Sequence, residues 1–305
     1  MVRANSINLN AMKKKTSFSS GGRRADVGPL TIMRILPNRY ADKVGPFVFL
    51  DHLPPTIKKA VHEGGIGAHP HRGIATLSYV LQGEGEHFDS AGNYAKVYSG
   101  GMQWMKAGNG IIHDENVNYD SQADSKMVHG FQFWINLPAK NKAEAPAYLA
   151  LQANDVPQKS LPNKRGSIKV LVGNYEELSS KIPNYSEQFL YHIQLEAGKQ
   201  FSISIAGKIE VAAFLPTQNV MLNDTQFHAG EFVEFDRNAG EIEIKNITKT
   251  AVDILLFGGE EYKEPVAAEG PFVMNTQGEI AQAYHDFYAG KYGKIIYNKS
   301  SAQTN

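Results

Sequence analysis

The sequence predicts an all-β protein: two tandem β-barrels followed by one short C-terminal helix. Three observations carry this reading. Short apolar segments with period-two alternation recur in both halves at intervals of about 8–12 residues. Clusters of Gly, Asn, Asp and Pro separate them. Apolar residues at helical spacing follow a capping signal in the tail.

Composition bounds the possibilities. A chain of 305 residues predicts roughly two domains at about 150 residues each. Hydrophobic residues make up 42% and charged residues 20%, enough apolar material for cores. Lys and Arg number 31, as do Asp and Glu, which argues against a protein that grips nucleic acid directly. There is no cysteine, so disulfides, thiolate metal sites and cysteine nucleophiles are excluded. A reducing compartment, the cytoplasm, is the simplest expectation. No run of about 18 apolar residues exists, so no membrane helix is expected.

Residues 1–25 read as a basic arm. They carry Arg3, Lys13, Lys14, Lys15, Arg23 and Arg24, with no acid before Asp26. This Arg- and Ser-rich stretch fits a mitochondrial-type leader only loosely, and a solvated arm is the preferred reading. Residues 26–138 read as the first barrel. Ala75–Gln82 alternates, with Ala75, Leu77, Tyr79 and Leu81 on one face and Thr76, Ser78, Val80 and Gln82 on the other. A hairpin turn around Gly92-Asn93 joins Glu86–Phe88 to Tyr94–Tyr98, and Gly130–Leu137 forms a further strand closed by Pro138. Residues 139–166 carry three prolines among Lys, Asn and Ala, and read as a linker. Residues 167–262 read as the second barrel, with strands at Ile168–Val172, Leu190–Leu195, Gln200–Ile205, Glu241–Lys245 and Val252–Phe257. In the tail, 263–305, Thr276 and Glu279 form a capping box. Ile280, Ala283, Tyr284 and Phe287 then predict a helix over about 277–289.

The chemistry lies in two short segments. In His69-Pro70-His71, residues i and i+2 of a strand point the same way, so two imidazoles reach one ion. In His113-Asp114-Glu115, the same geometry pairs His113 with Glu115 and turns Asp114 away. Facing strands would then give a cluster of three imidazoles and one carboxylate. Such a sulfur-free set suits Fe(II), Mn(II), Ni(II), Cu(II) or Zn(II), and it leaves coordination positions open for chemistry. His52 and His62 read as loop residues, His87 as a strand end, and His129 as the opening of a strand, with a hydrogen bond to a ligand as the lesser alternative. In the second half His192 and His228 stand far apart.

The sequence resembles the pirin family of the cupin superfamily. The resemblance rests on Pro46-Phe-Val-Phe-Leu-Asp-His-Leu-Pro54, His69-Pro-His-Arg-Gly73, Gln103 to Glu115, His129 to Leu137, Gly258-Gly-Glu260, Glu264-Pro-Val-Ala267 and Gly270-Pro-Phe-Val-Met-Asn275. It implies two jelly-roll-type cupin barrels, the first holding a metal through His69, His71, His113 and Glu115 and the second metal-free. The wider cupin pattern has a glutamate soon after the second histidine. Here Ala75 stands near that place, and Glu115 fills the role, as in pirins. The resemblance further implies one divalent transition metal, Fe(II) first, with Mn, Ni, Cu, Co or Zn as alternatives. It implies a dioxygenase that cleaves flavonols such as quercetin with O2, in which Glu115 is the catalytic base. Phe131, Phe133 or Trp134 would flank the flat substrate, unless they serve only as barrel core. The alternative it implies is a non-enzymatic iron-binding regulator that associates with a transcription factor or a metabolic enzyme.

Overall fold

The computed structural model describes residues 12–62 and 64–298; the start of the basic arm, residues 1–11, lies outside them. Strand makes up 52% of the structure and helix 7%, so the all-β expectation holds. In chain order the first half contains β1 (Thr16–Gly21), β2 (Arg23–Val27), β3 (Leu30–Leu36), β4 (Phe47–Ile57), β5 (His69–His71) and β6 (Ile74–Gln82). It continues with β7 (Glu84–Asp89), β8 (Tyr94–Tyr98), β9 (Met102–Lys106), β10 (Ile111–Asn118), β11 (Met127–Asn136) and β12 (Ala147–Leu151).

The chain divides into two compact units. One comprises Arg24–Arg34, Phe49–Asp155 and the described residues from Lys263 onward. Its walls are a seven-stranded sheet of order β12-β9-β6-β11-β4-β3-β2 and a four-stranded sheet of order β5-β10-β7-β8. Leu77, Tyr79, Met102, Trp104, Phe133 and Ile135 are buried on one face of the larger sheet, and Ser78, Gln132 and Trp134 lie on the other, which meets β5 and β10. Alternation in β6 set this face, as the sequence predicted, and burial of such side chains is the main stabilising term.

The second unit comprises the described residues up to Arg23, Ile35–Val48 and Val156–Tyr262. Its larger sheet runs β1, Glu231–Phe235, Ile209–Phe214, Val252–Glu260, Gln188–Leu195, Gly166–Val172 and Gln158–Ser160. Gln200–Ile205, Gly240–Lys245, Val220–Leu222 and Thr225–Phe227 form the smaller one. Val170, Ile193, Val211, Ile244 and Leu256 belong to one continuous apolar core.

Two stretches differ from their sequence reading. The arm is not a free extension from residue 13 onward: β1 pairs antiparallel with Glu231–Phe235, and Lys14 is buried, its Nζ donating to the Asn238 carbonyl at 2.6 Å. Residues 139–166 carry β12, paired with β9, and Gln158–Ser160, paired with Gly166–Val172. Prolines marked the ends of these strands, and edge strands tolerate them.

The tail belongs with the first unit. Helix α1 (Gln277–Tyr288) begins at the expected capping box between Thr276 and Glu279. Ile280 and Ala283 pack with Phe272, Met274 and Tyr292. The tail is fastened beside β5: the Val273 amide donates to the Arg72 carbonyl at 3.1 Å, and Arg72 pairs with Asp286 at 2.7 Å. Lys142 adds a buried clamp, its ammonium donating to Gly73 O at 2.7 Å, Asn136 Oδ1 at 2.5 Å and Val273 O at 2.8 Å. Gly73 is held at φ +82, and a Cβ there would meet Val273 O at 2.0 Å, so only glycine fits this junction.

Candidate metal centre

β5 is three residues long and exists to present two histidines. It pairs antiparallel with β10, placing His113 opposite His69 and Ile111 opposite His71. The three imidazoles thereby share one face. Gly110, at φ +126 and pressed against the Tyr292 ring, turns the chain into β10 just before His113. Ring centroids lie 4.4 Å apart for His69 and His113, 4.9 Å for His71 and His113, and 5.0 Å for His69 and His71. One ring nitrogen from each falls within 4.8 Å of the others.

Backbone carbonyls orient two of the rings. Gly67 O accepts from His69 Nδ1 at 2.8 Å, and Pro271 O accepts from His71 Nδ1 at 3.0 Å. With the proton on Nδ1, each ring turns a bare Nε2 inward. His113 Nε2 stands 2.9 Å from His69 Nε2 and, in this tautomer assignment, donates to it. Burial, followed by the neighbouring His69, pushes His71 down to about 3. His113, fully buried, is held well below the usual imidazole range, by burial first and then by His71, His69 and His87. Both rings are therefore neutral, the form that ligates metals.

Glu115 is placed differently from the sequence expectation. It sits opposite His87 in the β7–β10 register. Its carboxylate groups with His113 and His87, not with all three predicted histidines. Ser78 Oγ donates to Oε1 at 2.7 Å and Gln132 Nε2 donates to Oε2 at 2.7 Å. Asp114 points to the opposite face, as alternation requires, where it accepts from Gly67 N at 3.1 Å and Tyr297 OH at 2.9 Å.

A cavity of about 100 Å³ opens beside Glu115, with Ser78, Val80, Val117, Phe131 and Gln132 on its walls. The three aromatic side chains singled out in β11 separate here. Phe131 lines the cavity, and Phe133 is fully buried core. Trp134 stacks on Phe49 at 4.2 Å and meets His71 edge-on at 4.9 Å. His52, expected in a loop, is instead buried in β4, with Nε2 3.0 Å from Nε2 of His129. His129 lies on the cavity wall.

Sequence reasoning missed His87, Tyr148, Ser78 and Gln132 as parts of this centre. His87 Nε2 bonds Asp89 Oδ2 at 3.1 Å, and its ring stacks on Tyr148 at 4.2 Å. The i, i+2 spacing of His87 and Asp89 carried the same signal that found His69 and His71.

The donor set fits a divalent transition ion. His71 Nε2 and His113 Nδ1 are buried and have no hydrogen-bond partner among the described residues. Neutral imidazoles with a nearby carboxylate and no sulfur are the ligands such ions prefer.

Similarity to known proteins extends over most of the chain. The family model described as Pirin matches residues 30–135, and that described as Pirin C-terminal cupin domain matches residues 190–293. A Pseudomonas aeruginosa protein named "Putative quercetin 2,3-dioxygenase" is 31% identical, over 92% of this chain and 99% of its own. Human Pirin is 28% identical over 96% of each chain. The crystal structure of quercetin 2,3-dioxygenase from Acinetobacter baumannii superposes with a TM-score of 0.85 at 27% identity, covering 93% of this chain and all of that one.

Proposed function

Because the chain belongs to the pirin family, we propose that it is a metal-dependent dioxygenase acting on a small aromatic substrate with O2, with flavonols such as quercetin as the substrate class. The observation that carries this is the convergence of three imidazoles, two of them neutral with unsatisfied buried nitrogens, beside a carboxylate that borders a cavity. His69, His71 and His113 hold the ion, and Glu115 is the carboxylate of the set. Fe(II) is the first candidate, and Mn, Ni, Cu, Co or Zn suit the same donors. When bound, the ion supplies Lewis acidity toward a substrate oxygen and a template for O2.

The remaining steps belong to the chain. Glu115 takes the proton of the acidic substrate hydroxyl on a carboxylate oxygen. Ser78 and Gln132, each donating to one of its oxygens, fix the orientation of that carboxylate. Phe131 offers an aromatic face to a flat ring, and Val80 and Val117 exclude water from the cavity.

Elemental analysis of the isolated protein, followed by O2 uptake with quercetin, tests the reading. Glu115→Gln should retain the ion and lower kcat/KM by about 10²–10⁴-fold, the usual contribution of a positioned base. A metal-loaded protein that leaves quercetin and O2 unconsumed would sink it in favour of a binding or regulatory role.

A further inference from the structure

Tyr148 sits on the edge strand β12, opposite Met105 of β9. Its ring stacks on His87 at 4.2 Å with an interplanar angle of 15°. His87, His113 and Glu115 bring their ligand atoms within 4.8 Å of one another, so Tyr148 closes one side of that corner. The Tyr148 hydroxyl is buried and, among the described residues, has no hydrogen-bond partner. A buried hydroxyl without a partner is destabilising, and phenylalanine would stack on His87 equally well. The polar atom therefore calls for a functional explanation.

Nearby acceptors do not supply one. Both oxygens of Glu115 are already bonded, by Ser78 and Gln132. Asp89 Oδ1 accepts from the amides of Ala91 and Asn93, and Oδ2 accepts from His87 and the Asn93 side chain. The phenol also keeps its proton, since burial first, and the charges of Glu115 and Asp89 next, raise its pKa well above the usual range. A neutral O–H donor thus stands, unpartnered, near Glu115 and Asp89, whose oxygens are engaged by other donors.

We propose that the Tyr148 hydroxyl binds an oxygen-centred anion entering the His87–His113–Glu115 corner, the ionised hydroxyl of an aromatic substrate in the first instance. This rests on the reading under Proposed function and adds to it a substrate-binding group beside His87. A hydrogen bond to a charged oxygen is the strong kind, and it favours the ionised substrate over the neutral one.

The test uses metal-loaded wild-type protein and Tyr148→Phe, titrated anaerobically with quercetin and followed by the absorbance of the ionised flavonol. Metal content should be unchanged and the melting temperature equal or higher, because an unsatisfied group has been removed. Quercetin should bind about 10-fold or more weakly, and the pH at which the bound flavonol ionises should rise by about one unit. Unchanged affinity and unchanged ionisation would overturn the proposal, as would a fall in melting temperature with both unaltered. Formate, a small oxygen-centred anion, separates this from the parent reading. If the wild type ignores quercetin yet binds formate, and Tyr148→Phe weakens formate several-fold, the dioxygenase reading fails while the anion site stands. Equal formate affinity in both proteins, or binding of neither probe by the wild type, overturns the anion site.

Discussion

His52 carries a buried imidazole pushed down to about 3, by burial first and by His129 beside it second. Its unfolded value is about 6.5. As pH falls through 6.5 the unfolded chain takes up a proton that the folded one refuses, so stability is lost on acidification down to about pH 3. One such group costs about 2 kcal/mol between pH 7 and pH 5. Urea unfolding at those two pH values should show this loss in the wild type and a smaller one in His52→Leu; equal losses in both would disprove the assignment. At this scale His69, His71 and His113 were legible, because period-two spacing states which side chains share a face. The partners of Glu115 were not. Ser78 and Gln132 reach it from β6 and β11 of the other sheet, and no local pattern records which side chains of one sheet face those of another.

Among elements, β5 shows how a very short strand is kept in place. Its own pairing covers only three residues. The tail and the Lys142 ammonium hold the turn that follows it, at Gly73 and Val273. Burial, partly offset by Glu264 and Glu279, brings that lysine down to about 7. Lys142→Met should strand acceptors on Gly73, Asn136 and Val273, lowering stability by at least about 2 kcal/mol in urea unfolding and reducing metal stoichiometry. An unchanged midpoint and full metal content would show the clamp to be dispensable. The helix was legible from its capping box and apolar spacing, and the structure places it at Gln277–Tyr288. Ile209–Phe214 was not singled out, because every one of its residues is buried and a fully buried strand loses the alternation that marks a half-exposed one.

For the whole molecule, two barrels were legible because both halves repeat short alternating segments. Their membership was not. β1 joins a sheet whose neighbouring strand follows much later, with Ser19 and Glu231 separated by 212 positions. A basic, serine-rich stretch gives no local hint of such a pairing. Deleting residues 1–21 should uncover the Glu231–Phe235 edge. The truncated protein should melt at least about 5 °C lower and self-associate in light scattering. A monomer with the parental melting temperature would show β1 to be an accessory.

Pairing over that separation also constrains biosynthesis. At about 5–20 residues per second, a ribosome delivers Glu231–Phe235 roughly 10–40 s after β1 has been made. Pro271, whose carbonyl orients His71, emerges later still. Neither the larger sheet of the second barrel nor the aligned imidazoles of the first can mature domain by domain on the nascent chain; both wait for the last quarter of translation, and the imidazole cluster is accordingly completed only on the nearly finished polypeptide.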